Sequence, residues 1–526
     1  MSQNKMKLYL FAITVFITRC CSLTVADSPG FDLFFTSNLE EMVDEPIQFE
    51  KPLPSWLNGI LIRNGLGRFE IGARKFDHSF DAFGKLCSWR FWGNGSVTFS
   101  TKFLQSDSYK ASLRSHTIAP YLLFEGVDPP FNEVEKITAL IRGIDNMNVN
   151  VYRFYDAHHH QYQYVALNDY WKVYDFDPKN LSTVKSINAE VPDGNPDSSL
   201  AFLSFLSSAH PLPEMGTTNH FTFVSSVSLV PGFKSKIELI RIKSAMEREL
   251  VAKWSVDKVP YMHSFSITEN YAIFFASPFY VNVLKMVRYA EPFNCLDWYE
   301  DEQMTIYVVE LHNGIVHSIK TDNVFTMHHI NAFEEDEGDI VVDISSYPNP
   351  DFVKNLQLSI LRDPHLRNGF DAHALVKRYH INLRNNTAMF TLFDSAPDIP
   401  FASNIDMPTI NENYRYRNYC FVYGVVLKKD DIELSSIALV KKDLCNMKRD
   451  KQWYVPGHYP VEAWFVQAPG AKEEDDGYLL VPVLDGERRQ SYISMINAKD
   501  MKTVNVASLP TVIPFGLHGK FFEDVS

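Results

Sequence analysis

The 526-residue chain has no run of five or more basic residues, no CxxC pair, no low-complexity linker and no visible WD or kelch-type repeat. The first absence, together with a net charge of −14, removes nucleic acid from the candidate partners, because phosphate binding needs a basic face. Cysteine is scarce: there are six, and Cys20 and Cys21 fall within the first 26 residues. Cys87, Cys295, Cys420 and Cys445 are widely spaced, so neither a thiolate zinc site nor a disulfide framework is expected. Cys420, between Tyr419 and Phe421, reads as a buried thiol. With no linker, one domain over residues 27–526 is the expected organisation. With no repeat, a propeller cannot be read from periodicity.

Helical periodicity is also scarce. Residues 132–144 are the clearest case, with Val134, Ile137, Leu140 and Ile141 on one face. What is abundant is aromatic and apolar material, 14% and 45% of the chain, which permits a large core. It comes in short runs, among them 59–63, 162–167, 271–276, 304–311, 340–344 and 477–484, broken by Gly, Pro, Asn and Asp. Strand-length runs rich in Val, Ile, Tyr and Phe between turn residues predict an all-β fold.

The N-terminus reads as a targeting segment. Lys5 and Lys7 precede an apolar run too short to span a bilayer comfortably, and Ala26 offers a small residue for cleavage before Asp27. Loss of residues 1–26 removes Lys5, Lys7 and Arg19 and no acidic residue, taking the net charge from −14 to −17. Sequons at Asn94, Asn180 and Asn385 are compatible with a secretory route, so the expected location is the secretory pathway, with release outside the cell.

Seventeen histidines are present, and four of them stand out: His210 before Pro211, His263 in Met262-His263-Ser264, His328 beside His329, and His518 between Leu517 and Gly519. Four imidazoles with no carboxylate or thiolate among them suit a borderline metal such as iron. Separations of 53, 65 and 190 residues forbid a shared turn or hairpin. A closed ring of sheets, each sending an inner strand to a common axis, would gather them. About seven four-stranded blades of roughly 70 residues fit the length. Of the pair His328-His329 only one can face the axis, since neighbouring strand residues point to opposite sides. His158, His159 and His160 follow Asp156 in a polar stretch and read as a solvated hairpin loop.

Several motifs together resemble the carotenoid cleavage oxygenase family, which includes animal carotene oxygenases and the retinoid isomerase of the visual cycle. They are residues 53–67 with Gly59, Arg63, Gly65 and Gly67, His78-Ser79-Phe80-Asp81-Ala82, residues 143–152, Glu473-Glu474-Asp475-Asp476-Gly477, and Phe515-Gly516-Leu517-His518-Gly519. The resemblance runs from about residue 45 to 523. Leu66 stands where the family usually has proline, and Ala82 where it has glycine.

The resemblance implies a seven-bladed β-propeller with a small helical cap and an axial non-haem Fe2+ held by His210, His263, His328 and His518. Ligand histidines need acceptors for their outer N–H groups. The family uses three glutamates. Glu462 matches one, while Asp169 and Asp406 stand at the other two positions. Aspartate keeps the charge but is one methylene shorter, so the shell loosens, admits a water or is restored by a backbone shift. Phe103, Asn168, Tyr261 and Met407 are implied as substrate lining, with ordinary core packing as the competing account of each.

The expected reaction is oxidative cleavage of one double bond of a carotenoid or apocarotenoid, with O2 as co-substrate and an apolar polyene in a tunnel. A retinoid isomerohydrolase on the same scaffold and a secreted carotenoid-binding protein are the alternatives. Two stretches suit peripheral membrane association: 120–124 with the 132–144 helix, and 281–298, which mixes Val281, Leu284, Met286 and Val287 with Lys285 and Arg288. A helical cap or a dimer contact would use the same residues.

Overall fold

The short apolar runs become antiparallel strands in the computed structural model; the run 271–276, for example, is the strand Tyr271–Ala276. The structure describes residues 28–189, 202–228, 234–282, 284–285, 291, 293–335, 338–367, 374–393, 405–427, 435–446 and 449–523. The targeting segment expected at 1–26 lies outside the described residues. Among them no helix is long and apolar enough to cross a membrane.

Seven sheets of four or five strands follow one another along the described chain, with two smaller sheets inserted. One of the seven joins the two ends of the chain. The strand Asn58–Arg68 pairs on one side with Phe83–Trp92 and on the other with Gly516–Phe522, so that Ile60 faces Phe522 and Arg63 faces Gly519. Alternation along Asn58–Arg68 divides its side chains between two cores. Leu61, with Trp89 and Phe91, packs against Leu480, Ile493 and Met495. Ile60 and Ile62, with Leu86, pack against Val151, Ala166 and Tyr174.

The same relation recurs between the other sheets: Leu167 shares a core with Ile242, Phe223 with Phe274, Ile306 with Ile344, Val341 with Val422, and Leu439 with Leu479. Each such aliphatic side chain contributes about 1.5–3 kcal/mol when fully buried. A strand buried on both faces loses its polar alternation, which is why these segments read as unbroken apolar runs.

The predicted helix forms as Glu133–Arg142, started by a capping box in which Asn132 accepts from the Val134 and Glu135 amides and Glu135 caps the Asn132 amide. Its apolar face is not in the core, however. Val134, Ile137 and Ile141 are 73%, 58% and 81% exposed.

The reading of Cys420 as a free thiol is overturned: Cys420 and Cys445 form a disulfide. The hairpin of Phe421–Leu427 and Ile437–Asp443 places Phe421 opposite Asp443. Its register therefore brings the flanking cysteines together, with 5.2 Å between their Cα atoms. Cys87 and Cys295 remain as buried thiols.

Candidate metal centre

Each of the four histidines sits at or near the first strand of its sheet or, for His518, in the strand that joins the chain ends. His328 lies within Phe325–Glu334, where the pairing with Ile340–Tyr347 slips on both sides of His329. Such irregularities re-aim side chains. His328 turns inward, while His329 turns away and bonds the Ser266 hydroxyl at 2.8 Å. The histidine triplet 158–160 occupies an exposed hairpin turn, with His159 against Asp156.

The four rings converge. The Nε2 atoms of His210 and His263 are 2.9 Å apart, those of His328 and His518 are 3.1 Å apart, and donor atoms of all four lie within 4.8 Å of one another. Three outer nitrogens are committed to carboxylates: His263 Nδ1 to Asp169 at 2.6 Å, His328 Nδ1 to Asp406 at 2.6 Å, and His518 Nδ1 to Glu462 at 2.7 Å. A carboxylate accepts, so each of these Nδ1 atoms carries the proton, and in the neutral ring each Nε2 presents a lone pair to the centre. Lone pairs facing one another at such distances repel unless a cation lies between them. The donor set fits a metal ion of the kind that imidazole favours, among them iron, zinc, copper and nickel.

The electrostatics of His210 and His518 agree. Burial, then the neighbouring imidazoles, push His210 well below the usual histidine range. Burial lowers His518 to about 4 despite Glu462. At His328 burial is outweighed by Asp406, which draws the ring upward; a cation at the centre would hold it neutral. Glu462 also takes the Gly519 amide at 3.2 Å and the Arg63 guanidinium at 3.1 Å, and Asp169 Oδ1 takes the Ala209 amide at 3.1 Å. The shortened aspartates thus still reach their histidines directly. At Asp406 the backbone contributes: Met407 holds a φ of +48° ahead of Pro408, an uncommon conformation for a side-chain-bearing residue, and its amide bonds Asp406 Oδ1 at 2.8 Å.

A cavity of about 260 Å³ opens on one side of the cluster, reaching His263, His328 and His518 between walls such as Phe80, Leu122, Phe124, Val281 and Phe293. Asn168, Tyr261 and Met407 line it. Phe103 does not. The end of Val97–Phe103 directs that ring into the core, stacked on Tyr109 at 5.1 Å and beneath the Lys85 ammonium. On the other side of the cluster lies a polar cavity of about 340 Å³ that includes His210, Lys520 and the Glu412–Arg415 ion pair. Tyr347 and Arg63 complete the centre. Arg63 lay in a quoted motif without an assigned role, and nothing in the sequence around Tyr347 distinguishes it from a core aromatic.

A family model described as Retinal pigment epithelial membrane protein matches residues 35–523. The chain is 26% identical to β,β-carotene 15,15'-dioxygenase of Gallus gallus, covering 93% of this chain and 98% of the relative. It is 26% identical to a carotenoid isomerooxygenase of Galleria mellonella, covering 92% and 94%. Cobalt-substituted ACO from Synechocystis superposes with a TM-score of 0.75 at 23% identity over 94% of this chain and 99% of that one. An ACO/RPE65 chimera does so with 0.75 at 24% over 93% and 98%. The two solved structures share the fold. With a match over nearly its whole length and four histidines drawn together by that fold, the chain belongs to the family of the Retinal pigment epithelial membrane protein and the carotenoid oxygenases.

Proposed function

We propose that this protein is an Fe(II)-dependent dioxygenase that cleaves one double bond of a carotenoid or apocarotenoid into two carbonyl products. The observation that carries the reading is the convergence of four imidazoles, three of them reached by an apolar cavity. An iron ion held by His210, His263, His328 and His518 would supply the site at which dioxygen is activated. The chain's own contribution is positional. Asp169, Asp406 and Glu462 hold the Nδ1–H of three imidazoles and so keep their Nε2 atoms aimed at the centre. The aromatic walls exclude water and fix how deep a polyene slides, which selects the bond that is cut. One C=C bond and one O2 become two C=O groups, so the reaction needs no external reductant.

The relatives include dioxygenases and an isomerooxygenase, and the matching family model is that of the Retinal pigment epithelial membrane protein; isomerisation, on a polyene or a retinyl ester, is the second reading. The test is chromatography of products from β-carotene, several apocarotenoids and all-trans retinyl ester, in air, under anaerobiosis and with an iron chelator. Aldehydes or ketones formed only with O2 and lost with the chelator are the expected result. Anaerobic conversion of the ester to a cis retinol, with no carotenoid consumed in air, overturns it.

Three further readings belong to this proposal. The seven sheets are the blades of one closed propeller ring, supported by the unbroken succession of shared cores. The cavity mouth rests on a membrane surface. In support, Val134, Ile137 and Ile141 are exposed beside cavity-lining Leu122 and Ile144, and Leu284 is 84% exposed beside Val281. Within 281–298, residues 283, 286–290 and 292 lie outside the described residues. Finally, the protein matures in the secretory pathway, a location with which the Cys420–Cys445 disulfide agrees.

A further inference from the structure

The two shortened carboxylates share a feature that the glutamate lacks. Asp169 Oδ2 accepts from His263 Nδ1 and also from the Tyr261 hydroxyl, at 2.9 Å. Asp406 bonds His328 through Oδ1 and receives the Tyr347 hydroxyl on Oδ2. Among the described residues Glu462 takes no phenol; its second oxygen meets Arg63 and the Gly519 amide. Both tyrosines are buried, at 7% and 3% exposure, and both line the apolar cavity. Tyr347 is held flat against Phe352, with centroids 4.1 Å apart and planes 9° apart. Tyr261 packs edge-on to Phe279.

An aspartate has one torsion fewer than a glutamate between backbone and carboxylate, so its reach to an imidazole depends on what grips its far side. A phenol fixed by aromatic packing supplies that grip and leaves no carboxylate oxygen unpaired in a buried setting. Asp169 extends the unit further, because its Oδ1 holds the Ala209 amide next to His210. One carboxylate therefore places two of the four histidines.

We propose that Tyr261 and Tyr347 are positioning residues that act through Asp169 and Asp406, so that the wall of the substrate cavity and the histidine cluster form one hydrogen-bonded unit. The inference rests on the metal-site reading above. It goes beyond a lining role: removing either hydroxyl disturbs the metal geometry even with no substrate present.

The test uses cobalt(II) as the probe, with affinity from chelator competition and ligand geometry from its visible absorption. Tyr261→Phe and Tyr347→Phe keep the ring and lose only the hydroxyl. The expected result is weaker cobalt binding by about 10–100-fold and a shifted spectrum. Tyr174→Phe removes a comparable buried phenol–carboxylate bond, to Asp145 at 2.8 Å, and serves as the control: its spectrum stays that of the parent. In an Asp169→Glu background the longer side chain reaches His263 without the phenol, so Tyr261→Phe then costs less than it does alone. Parent-like affinity and spectrum in both tyrosine variants overturn the proposal, as does an undiminished effect in the Asp169→Glu background. A parent protein that binds no cobalt and no iron overturns the metal-site reading itself and this inference with it.

Discussion

His328 and His518 face each other through Nε2 atoms 3.1 Å apart. Asp406 holds one Nδ1–H and Glu462 the other. Two buried lone pairs in opposition are stable only around a positive charge. The carboxylates that orient three of the rings thereby help make four scattered histidines a site suited to a cation.

Alanine at His210, His263, His328 or His518 should abolish metal retention and activity. His329→Ala and His159→Ala should leave most of the metal in place, because His329 bonds Ser266 and His159 sits on an exposed turn. Elemental analysis of purified variants decides. Equal metal loss from the two decoys would mean that the ligand set is misassigned.

Asp169→Asn and Asp406→Asn keep shape but remove the charge that fixes each tautomer. We expect metal affinity or turnover to fall by about 10–100-fold. Asp169→Asn should be the more damaging, since Asp169 also holds the backbone before His210. Unchanged chelator titrations for both would reduce the pair to bystanders.

His78 makes stability depend on pH. Burial lowers it to about 4, and its Nε2 bonds the Val353 carbonyl at 2.8 Å. The folded state therefore takes up its proton later than the unfolded state, and stability is lost as pH falls from about 6.5 toward 4, by about 3 kcal/mol in total at this one residue. In His78→Gln that component is absent. Thermal unfolding at pH 7 and pH 4.5 should show the gap between parent and variant narrowing at the lower pH; a constant gap contradicts the assignment.

Replacing Val134, Ile137 and Ile141 with serine should weaken liposome binding several-fold while turnover of detergent-dispersed substrate stays nearly intact. Each removes apolar surface worth about 25 cal/mol per Å² from a membrane contact. Sedimentation with anionic and neutral vesicles measures it, and undiminished binding would rule out this helix as the contact.

In the chain starting at residue 27, denaturation without reductant should expose two alkylatable thiols, Cys87 and Cys295, and reduction should raise the number to four. Cys445→Ser should lower the melting temperature, since closing a loop of 25 residues contributes about 3 kcal/mol on the chain-entropy account. Four thiols before reduction, read by intact mass, would exclude the disulfide.

The sequence alone determined the all-β class and a helix within 132–144. Both follow from local pattern: runs such as 271–276 have strand length between turn residues, and Val134, Ile137, Leu140 and Ile141 recur on one helical face. The identities of the four histidines and of Asp169, Asp406 and Glu462 came from the motifs that carry the family resemblance. Tertiary structure alone decided which atoms meet. The Cys420–Cys445 bond depends on the register between Phe421–Leu427 and Ile437–Asp443, and that register is set by pairing rather than composition. Phe103 and Tyr261 look alike as aromatic residues near strands, yet one turns into a core and the other into the cavity. The phenol of Tyr347 reaches Asp406 across 59 residues. Local propensity acts over a few residues, whereas a site of this kind is assembled at the meeting of strands from separate sheets. The sequence therefore names its members, and only the packing of those sheets sets the distances between them.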